Sequence, residues 1–281
     1  MKFTKMHGAG NDFIIINNMV EKISKDKFSY IASTLCARRL SIGADGIMFV
    51  DSPTTTDGDF RMHFYNADGS QGEMCGNGAR CICRYGFENG LAGEKQRVET
   101  LSGVVEGKRI DKRNYRVRLN RPSMFKEDYP LELAGKKYDC SYVELGEPGL
   151  PHLVVELPGF KNMLDEDLFK IGEGLRNHNM LAKGANVNFF CIDEDGELQA
   201  RTFERGVEDF TLACGTGAGS IGFTLIKKGI LKGGVASINM PGGILLVELE
   251  ENNKEYEDVI ISGPTNIVAE GNVLDEDLIY D

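Results

Sequence analysis

The chain has 281 residues, enough for two domains at roughly 100–200 residues each, and its 41% hydrophobic, 27% charged and 9% aromatic content is that of a folded globular protein. That composition excludes a disordered or collagen-like chain. With 32 Lys+Arg against 43 Asp+Glu the formal charge is −11, which repels phosphate backbones and anionic lipid, so neither a nucleic-acid nor a membrane partner is expected.

In chain order, the opening MKFTKMHGAGNDF lacks the apolar core of a secretory signal, and the run Phe13-Ile14-Ile15-Ile16 falls far short of the ~20 residues of a membrane helix. The cytoplasm is the expected compartment. Short apolar or alternating runs predict strands at Phe13–Asn17, Ile47–Val50, Phe60–Tyr65, Val98–Thr100 and Arg116–Leu119, with helices over Lys27–Leu40 and Cys75–Asn89. A break falls near Asn120-Arg121-Pro122. Beyond it come strands at Leu153–Leu157, Val187–Ile192, Leu198–Phe203, Ile244–Glu248 and Val259–Ser262, and helices at Asp165–Arg176 and Cys214–Lys228. Strands outnumber helices and repeated βαβ spacing is not evident, so the fold class is α/β of α+β character with largely antiparallel sheets.

MCGNGAR around Cys75 and ACGTGAG around Cys214 share the pattern Cys-Gly-polar-Gly-Ala. Aligned without gaps at an offset of 214 − 75 = 139, FRMHFYN (60–66) falls on QARTFER (199–205). Each unit reads strand, turn-rich loop, Cys-Gly-x-Gly, helix. Two similar halves are the natural inference.

A cysteine at the first turn of a helix meets unsatisfied backbone N–H groups and the positive end of the helix dipole, which stabilise a thiolate. The glycines that follow let a carboxylate approach the same N–H groups. If both helix starts face one ligand, one thiolate removes a Cα proton while the other thiol delivers one to the opposite face. For Cys36, Cys140 and Cys191 the reading is a small buried core residue. Seven cysteines without regular spacing read as reduced thiols. Cys75, Cys81 and Cys83 offer a zinc alternative, against which stands the lack of a second CxxC pair. HGAGNDF (7–13) matches neither a dinucleotide fingerprint nor a phosphate loop.

The stretches KMHGAGNDF (5–13), IGADG (42–46), YNADGSQGEMCGNGARC (65–81), GANVNFF (184–190), ERGVEDFTLACGTGAG (204–219) and MPGG (240–243) resemble the diaminopimelate epimerase family over essentially the whole chain. The resemblance implies two pseudo-symmetric domains, each a curved mixed sheet around a central helix, with the active site in the cleft between them. The expected division is 1–120 with 265–281 for the half carrying Cys75, and 121–264 for the half carrying Cys214. The resemblance further implies a cofactor-independent epimerase or racemase of a small-molecule amino acid, without metal and as a homodimer. Cys75 and Cys214 would be the acid and base, tuned or oriented by His152 and Glu204. Asn11, Asn66, Asn186, Glu204 and Arg205 would contact substrate, with backbone at Gly76-Asn77 and Gly215-Thr216. Arg205 suits a bidentate grip on a carboxylate, its alternative being a surface pair with Glu204 or Glu208. Asn66 and Asn186 could instead brace turns.

Where many members carry Gly-Asn-Pro-His, this chain reads GEPGLPH (146–152), with Glu147 in place of the Asn. Phe210 stands where many relatives have Glu, either lining a pocket or packing against its loop, and Gly46 replaces a Gln found in some relatives. LL-diaminopimelate is the expected substrate. Another amino acid, histidine first, and an inactive amino-acid-binding protein are the alternatives.

Overall fold

The computed structural model describes residues 1–72, 75–252, 256–274, 276 and 278. Two compact units are present, one formed by Met1–Val117 with the chain from Gly263 onward, the other by Arg118–Ser262. The first holds helices α1 (Asn18–Glu21), α2 (Phe28–Leu35) and α3 (Gly76–Glu88); the second holds α4 (Asp165–Arg176) and α5 (Gly215–Lys227).

The first unit's sheet runs Asn266–Asn272, Lys2–Gly8, Asn11–Asn17, Gly46–Asp51, Phe60–Asn66, Lys95–Thr100, Gly103–Arg109 and then the strand that starts at Asn114. Two of its pairs are parallel, Asn11–Asn17 with Gly46–Asp51 and Phe60–Asn66 with Lys95–Thr100. In the second unit the order is Pro122–Lys126, Cys140–Leu145, Leu150–Glu156, Asn186–Ile192, Leu198–Glu204, Val235–Met240, Gly243–Asn252 and the strand that starts at Tyr256. Its parallel pairs are the corresponding ones. The repeats share their strand order and the sense of every corresponding pair, and Asn11–Asn17 matches Leu150–Glu156 end for end at the offset of 139.

The parallel pairs differ from the expected sequence pattern. Two strand–helix–strand crossovers occur in each unit, around α2 and α3 in the first and around α4 and α5 in the second, but long hairpin segments separate the two copies and hide the βαβ spacing. The helix expected at Lys27–Leu40 ends instead at Leu35, because Gly43 and Ala44 donate to the carbonyls of Leu35 and Cys36 and Arg39 takes a left-handed φ of 73°. Arg38 is thereby turned onto Asp12 and Asp45.

The inner strands of each sheet are buried on both faces, which is why they read as continuous apolar runs. In the first unit Ile14 and Ile16 join Phe28, Ile31 and Leu35 of α2, while the ring of Phe13 lies against α3 at Gly78. Phe28 and Phe49 stack with centroids 3.9 Å apart. Burial of each such side chain contributes about 1.5–3 kcal/mol, and Phe49→Ala would cost about 3–5 kcal/mol. In the second unit Leu168 and Leu175 of α4 close the core over Leu153, Val155, Val187, Phe189 and Phe203. The other helix of each unit is interior, with every residue from Gly76 to Gly86 of α3 and from Gly217 to Leu225 of α5 buried. No helix among the described residues is long and apolar enough to cross a membrane.

Candidate active site

Cys75 and Cys214 occupy the same structural position, the residue before the first turn of an interior helix, both in extended conformation (φ −129° and −115°). They are the N-caps of α3 and α5. Burial pushes Cys36, Cys81, Cys83 and Cys140 up to about 12 and raises Cys191 as well, so these five stay protonated near neutrality. Cys81 faces Gly8 and Cys83 faces Gly107, on different strands, and the described residues hold no cluster of three metal-ligating side chains.

In the first unit the chain reverses after Gly8 through Ala9 and Gly10, both at positive φ (52° and 87°), the geometry of a tight two-residue hairpin. This turn sets Asn11 beside the start of α3. Its Oδ1 accepts from Cys75 Sγ at 3.3 Å and from Asn77 Nδ2 at 3.4 Å, while its Nδ2 donates to Asp45 Oδ2 at 2.7 Å. Asp45 is bound by Arg38, which also grips Asp12 at 2.6 Å. Although burial opposes it, hydrogen bonds from Arg38 and Lys5 hold Asp12 below the usual carboxylate range. Asn66 ends its strand and donates through Nδ2 to Ser70 Oγ at 3.0 Å, bracing the turn at Gly69.

In the second unit Cys214 Sγ accepts the N–H of Gly217 at 3.3 Å and lies 3.5 Å from Thr216 Oγ1. Gly217 is required there by close approach, since a Cβ would meet Asn188 Oδ1 and sit 2.8 Å from Thr202 Oγ1. Glu204 accepts from Thr211 Oγ1 at 2.5 Å. Asn186 is buried and uses both ends of its amide, accepting from the Arg205 N–H at 2.9 Å and donating to Pro151 O at 3.3 Å. The guanidinium of Arg205 donates to Lys183 O at 3.2 Å. It makes no ion pair among the described residues, because Glu208 is held by Arg176 at 2.8 Å.

His152 is fully buried opposite Asn186. Its Nδ1 faces Asn188 Nδ2 at 3.3 Å, which as an acceptor leaves the ring proton on Nε2. Burial, with the charge of Arg205, pushes His152 down to about 3, so it is neutral near pH 7. Its Nε2–H has no hydrogen-bond partner among the described residues. An unsatisfied donor on a buried neutral imidazole is suited to orient or hold a negative sulfur or oxygen.

Asn188, Thr202, Asp45 and Arg80 were not singled out from the sequence. The signal for Asn188 was available, since Asn186 and Asn188 share one face of an otherwise apolar strand. Phe210 resolves as a packing residue. Its ring meets Phe203 edge-on at 5.4 Å and carries the guanidinium of Arg201 at 4.3 Å, so that face is not open to a ligand ring. Glu147 is exposed.

The family described as Diaminopimelate epimerase matches residues 3–124 and 146–268. A diaminopimelate epimerase of Aquifex aeolicus is 35% identical over 100% of both chains, and one of Archaeoglobus fulgidus is 35% identical over 99% of this chain and 98% of its own. Among solved structures, a PhzF-family phenazine biosynthesis protein of Bacillus anthracis has a TM-score of 0.74 at 16% identity, covering 98% of this chain and 99% of its own. A probable proline racemase of Agrobacterium radiobacter K84 follows with a TM-score of 0.70 at 17% identity, covering 99% and 94%. These two likenesses establish the fold of two α/β repeats. The near-complete match in sequence establishes the rest: the chain belongs to the diaminopimelate epimerase family of isomerases.

Proposed function

We propose that the chain inverts the Cα configuration of LL-diaminopimelate, giving the meso form, with Cys75 and Cys214 as the two proton-transfer groups. The observation that carries this is the placement of both thiols at equivalent N-caps of interior helices, one bonded to Asn11 and one to the Gly217 N–H, while the other five are buried and held protonated. One sulfur, as thiolate, takes the Cα proton and becomes S–H. The resulting carbanion is protonated on its opposite face by the other thiol, which becomes the thiolate. The enzyme thus ends with the proton on the other sulfur and is reset by the reverse reaction or by exchange with solvent.

An amino-acid Cα–H is weakly acidic, so the substrate carboxylate must share the developing charge. The N–H groups at the starts of α3 and α5, at Gly76-Asn77 and Gly215-Thr216, are the donors aimed at that charge. Neutral His152 and the carboxylate Glu204 orient the thiols. Arg205, without an ion pair among the described residues, takes a carboxylate, and Asn66 takes part from the equivalent position of the other repeat. Asn186 acts by fixing the backbone of Arg205. The same reading makes the protein a cytoplasmic homodimer that acts without cofactor.

Cα–H/deuterium exchange in D₂O tests substrate and chemistry together. LL-diaminopimelate is expected to take up deuterium fastest, and L-lysine, lacking the distal carboxylate, hardly at all. Cys75→Ala and Cys214→Ala are each expected to reduce epimerisation below a tenth of the parent rate, a loss of at least about 1.4 kcal/mol in transition-state stabilisation. A faster signal from L-histidine with none from diaminopimelate would overturn the substrate. Turnover above a tenth in either alanine variant would overturn the two-thiol mechanism.

A further inference from the structure

The two repeats differ most sharply one turn into their interior helices. At the position where α5 carries Gly219, α3 carries Arg80, whose whole side chain is buried at 0% exposure. An arginine keeps its charge in proteins, and an unpaired buried charge is costly unless something nearby balances it. Arg80 donates to Gly76 O at 3.3 Å and Asn77 Oδ1 at 2.8 Å, and its Nε makes no hydrogen bond among the described residues. No acidic side chain pairs with it there.

The elements packed against α3 do not supply one. On Lys2–Gly8 stand Lys5 and His7, on Asn11–Asn17 stands Asp12, and on Gly103–Arg109 stand Glu106, Lys108 and Arg109. Asp12 is committed to Lys5 at 2.7 Å and Arg38, and Glu106 faces Arg97 at 3.3 Å. On α3 itself Glu88 lies 3.7 Å from Arg84. The groups that act on Arg80 as anions are Cys81 and Cys75. Burial pushes Cys81 up to about 12, and Cys75 directly precedes Gly76, whose carbonyl Arg80 binds.

The Asn11 bond of Cys75 and the Gly217 bond of Cys214 run in opposite senses. Cys214 receives the Gly217 N–H on its sulfur, whereas Cys75 makes no side-chain capping bond to α3 and donates its S–H to the Asn11 carbonyl oxygen. A bond of that sense stabilises the neutral thiol and opposes ionisation. We propose that Arg80 is a positioning residue for the reaction, supplying the buried positive charge against which Cys75 ionises and, through Asn77 and Asn11, fixing the geometry of that sulfur. It does for the first thiol what the Gly217 N–H does for the second.

This inference rests on the two-thiol reading only in naming Cys75 as a reacting group. Its test reads ionisation directly. The pH dependence of iodoacetamide alkylation is followed separately at Cys75 and Cys214 by peptide mass spectrometry in the full-length protein. Arg80→Met is expected to raise the Cys75 midpoint by about one pH unit or more, roughly tenfold less thiolate at any pH below it, and to leave the Cys214 midpoint in place. Arg80→Lys, which keeps the charge while changing the hydrogen bonds, is expected to return the Cys75 midpoint toward that of the parent. Arg80→Gln is the second neutral variant and is expected to match Arg80→Met, including where methionine prevents folding. An unmoved Cys75 midpoint in a folded neutral variant, a shift shared equally by both cysteines, or a lysine variant as displaced as the neutral ones would each overturn the proposal. A Cys75→Ala protein that kept its turnover would instead sink the two-thiol reading and leave the alkylation result standing.

Discussion

Asn188 is a buried polar side chain of the second unit with four polar neighbours, and replacing it gives a magnitude that can be worked from them. It is 0% exposed. Its Oδ1 accepts from Thr202 Oγ1 at 3.0 Å, and its Nδ2 faces Leu153 O at 3.1 Å and, at 3.3 Å each, Asn186 O and His152 Nδ1. Asn188→Leu keeps the branched outline of the side chain and strands the Thr202 hydroxyl and the His152 Nδ1 in the interior, where each orphaned group costs about 1–3 kcal/mol. The expected loss is therefore about 2–6 kcal/mol, a large share of the roughly 5–15 kcal/mol that holds a typical protein folded. Thr202→Val alone strands only the Asn188 Oδ1 and is expected to cost about 1–3 kcal/mol. In the double variant the stranded hydroxyl is gone, so the double loss is expected to be smaller than the sum of the singles by about 1 kcal/mol or more. Urea unfolding of the four proteins measures the cycle, and ¹⁵N NMR of the imidazole reads whether His152 keeps its proton on Nε2. Strict additivity, or a single-variant loss below about 1 kcal/mol, would refute the assignment of these bonds as mutually satisfying.

Three further outcomes are expected. The folded pKa of His152 lies far below its unfolded value of about 6.5, so its contribution to stability is complete above that pH and is lost as pH falls toward about 3; His152→Gln is expected to flatten that part of the stability–pH curve. Glu99 is held down to about 2 by hydroxyl and N–H donors of Thr55 and Thr54, so its contribution is present above the unfolded carboxylate value of about 4.3 and disappears as pH falls to about 2; urea midpoints of Glu99→Gln across that range are expected to lose this slope. Mild oxidation is expected to inactivate the protein reversibly through a Cys75–Cys214 disulfide, visible by intact mass as the loss of two hydrogens and reversed by dithiothreitol; a disulfide mapped elsewhere in the inactive protein would refute this expectation.

The repeat was legible because the Cys-Gly-x-Gly turns constrain both sequence and backbone. Asp165–Arg176 was legible from its acidic first turn and apolar stripe, and the interior strands from runs such as Ile14-Ile15-Ile16. Lys2–Gly8 escaped because its buried positions, Thr4, Met6 and Gly8, include a polar residue and a glycine, so the alternation carries no apolar signal. Asn266–Asn272 and Pro122–Lys126 are mostly exposed or half-buried and are held by backbone pairing that periodicity does not record. The end of α2 was misread because the ties that stop it, Gly43 and Ala44 to Leu35 and Cys36, are reached only after the chain has folded back. Within the site, cysteines and helix starts followed from spacing. His152, Asn188 and Arg80 did not, because their meaning lies in which neighbour each bonds and how completely each is buried.

Aligning the repeats at the single offset of 139 shows what a duplicated scaffold must change to handle an unsymmetrical molecule. The sulfurs keep their place at 75 and 214, yet Asn66 corresponds to Arg205, Phe13 to His152, Tyr65 to Glu204 and Arg80 to Gly219, each at the same offset of 139. The second repeat therefore gathers an arginine, a carboxylate and a buried imidazole around its strand ends, while the first offers an amide, a phenol and a phenyl ring at the same positions, none of them charged. Identical halves would carry identical charges. A proton-transfer step that inverts a centre needs similar thiols on two sides, but holding one carboxylate and one ammonium in a single orientation needs dissimilar neighbours. The buried charge of Arg80 fits this division. Where the second repeat supplies its sulfur with a backbone N–H made accessible by Gly217, the first, whose thiol is bonded to a carbonyl oxygen, carries a cation in the core of its helix instead. The symmetry thus resides in the backbone and the thiols, and the side chains around them carry the asymmetry.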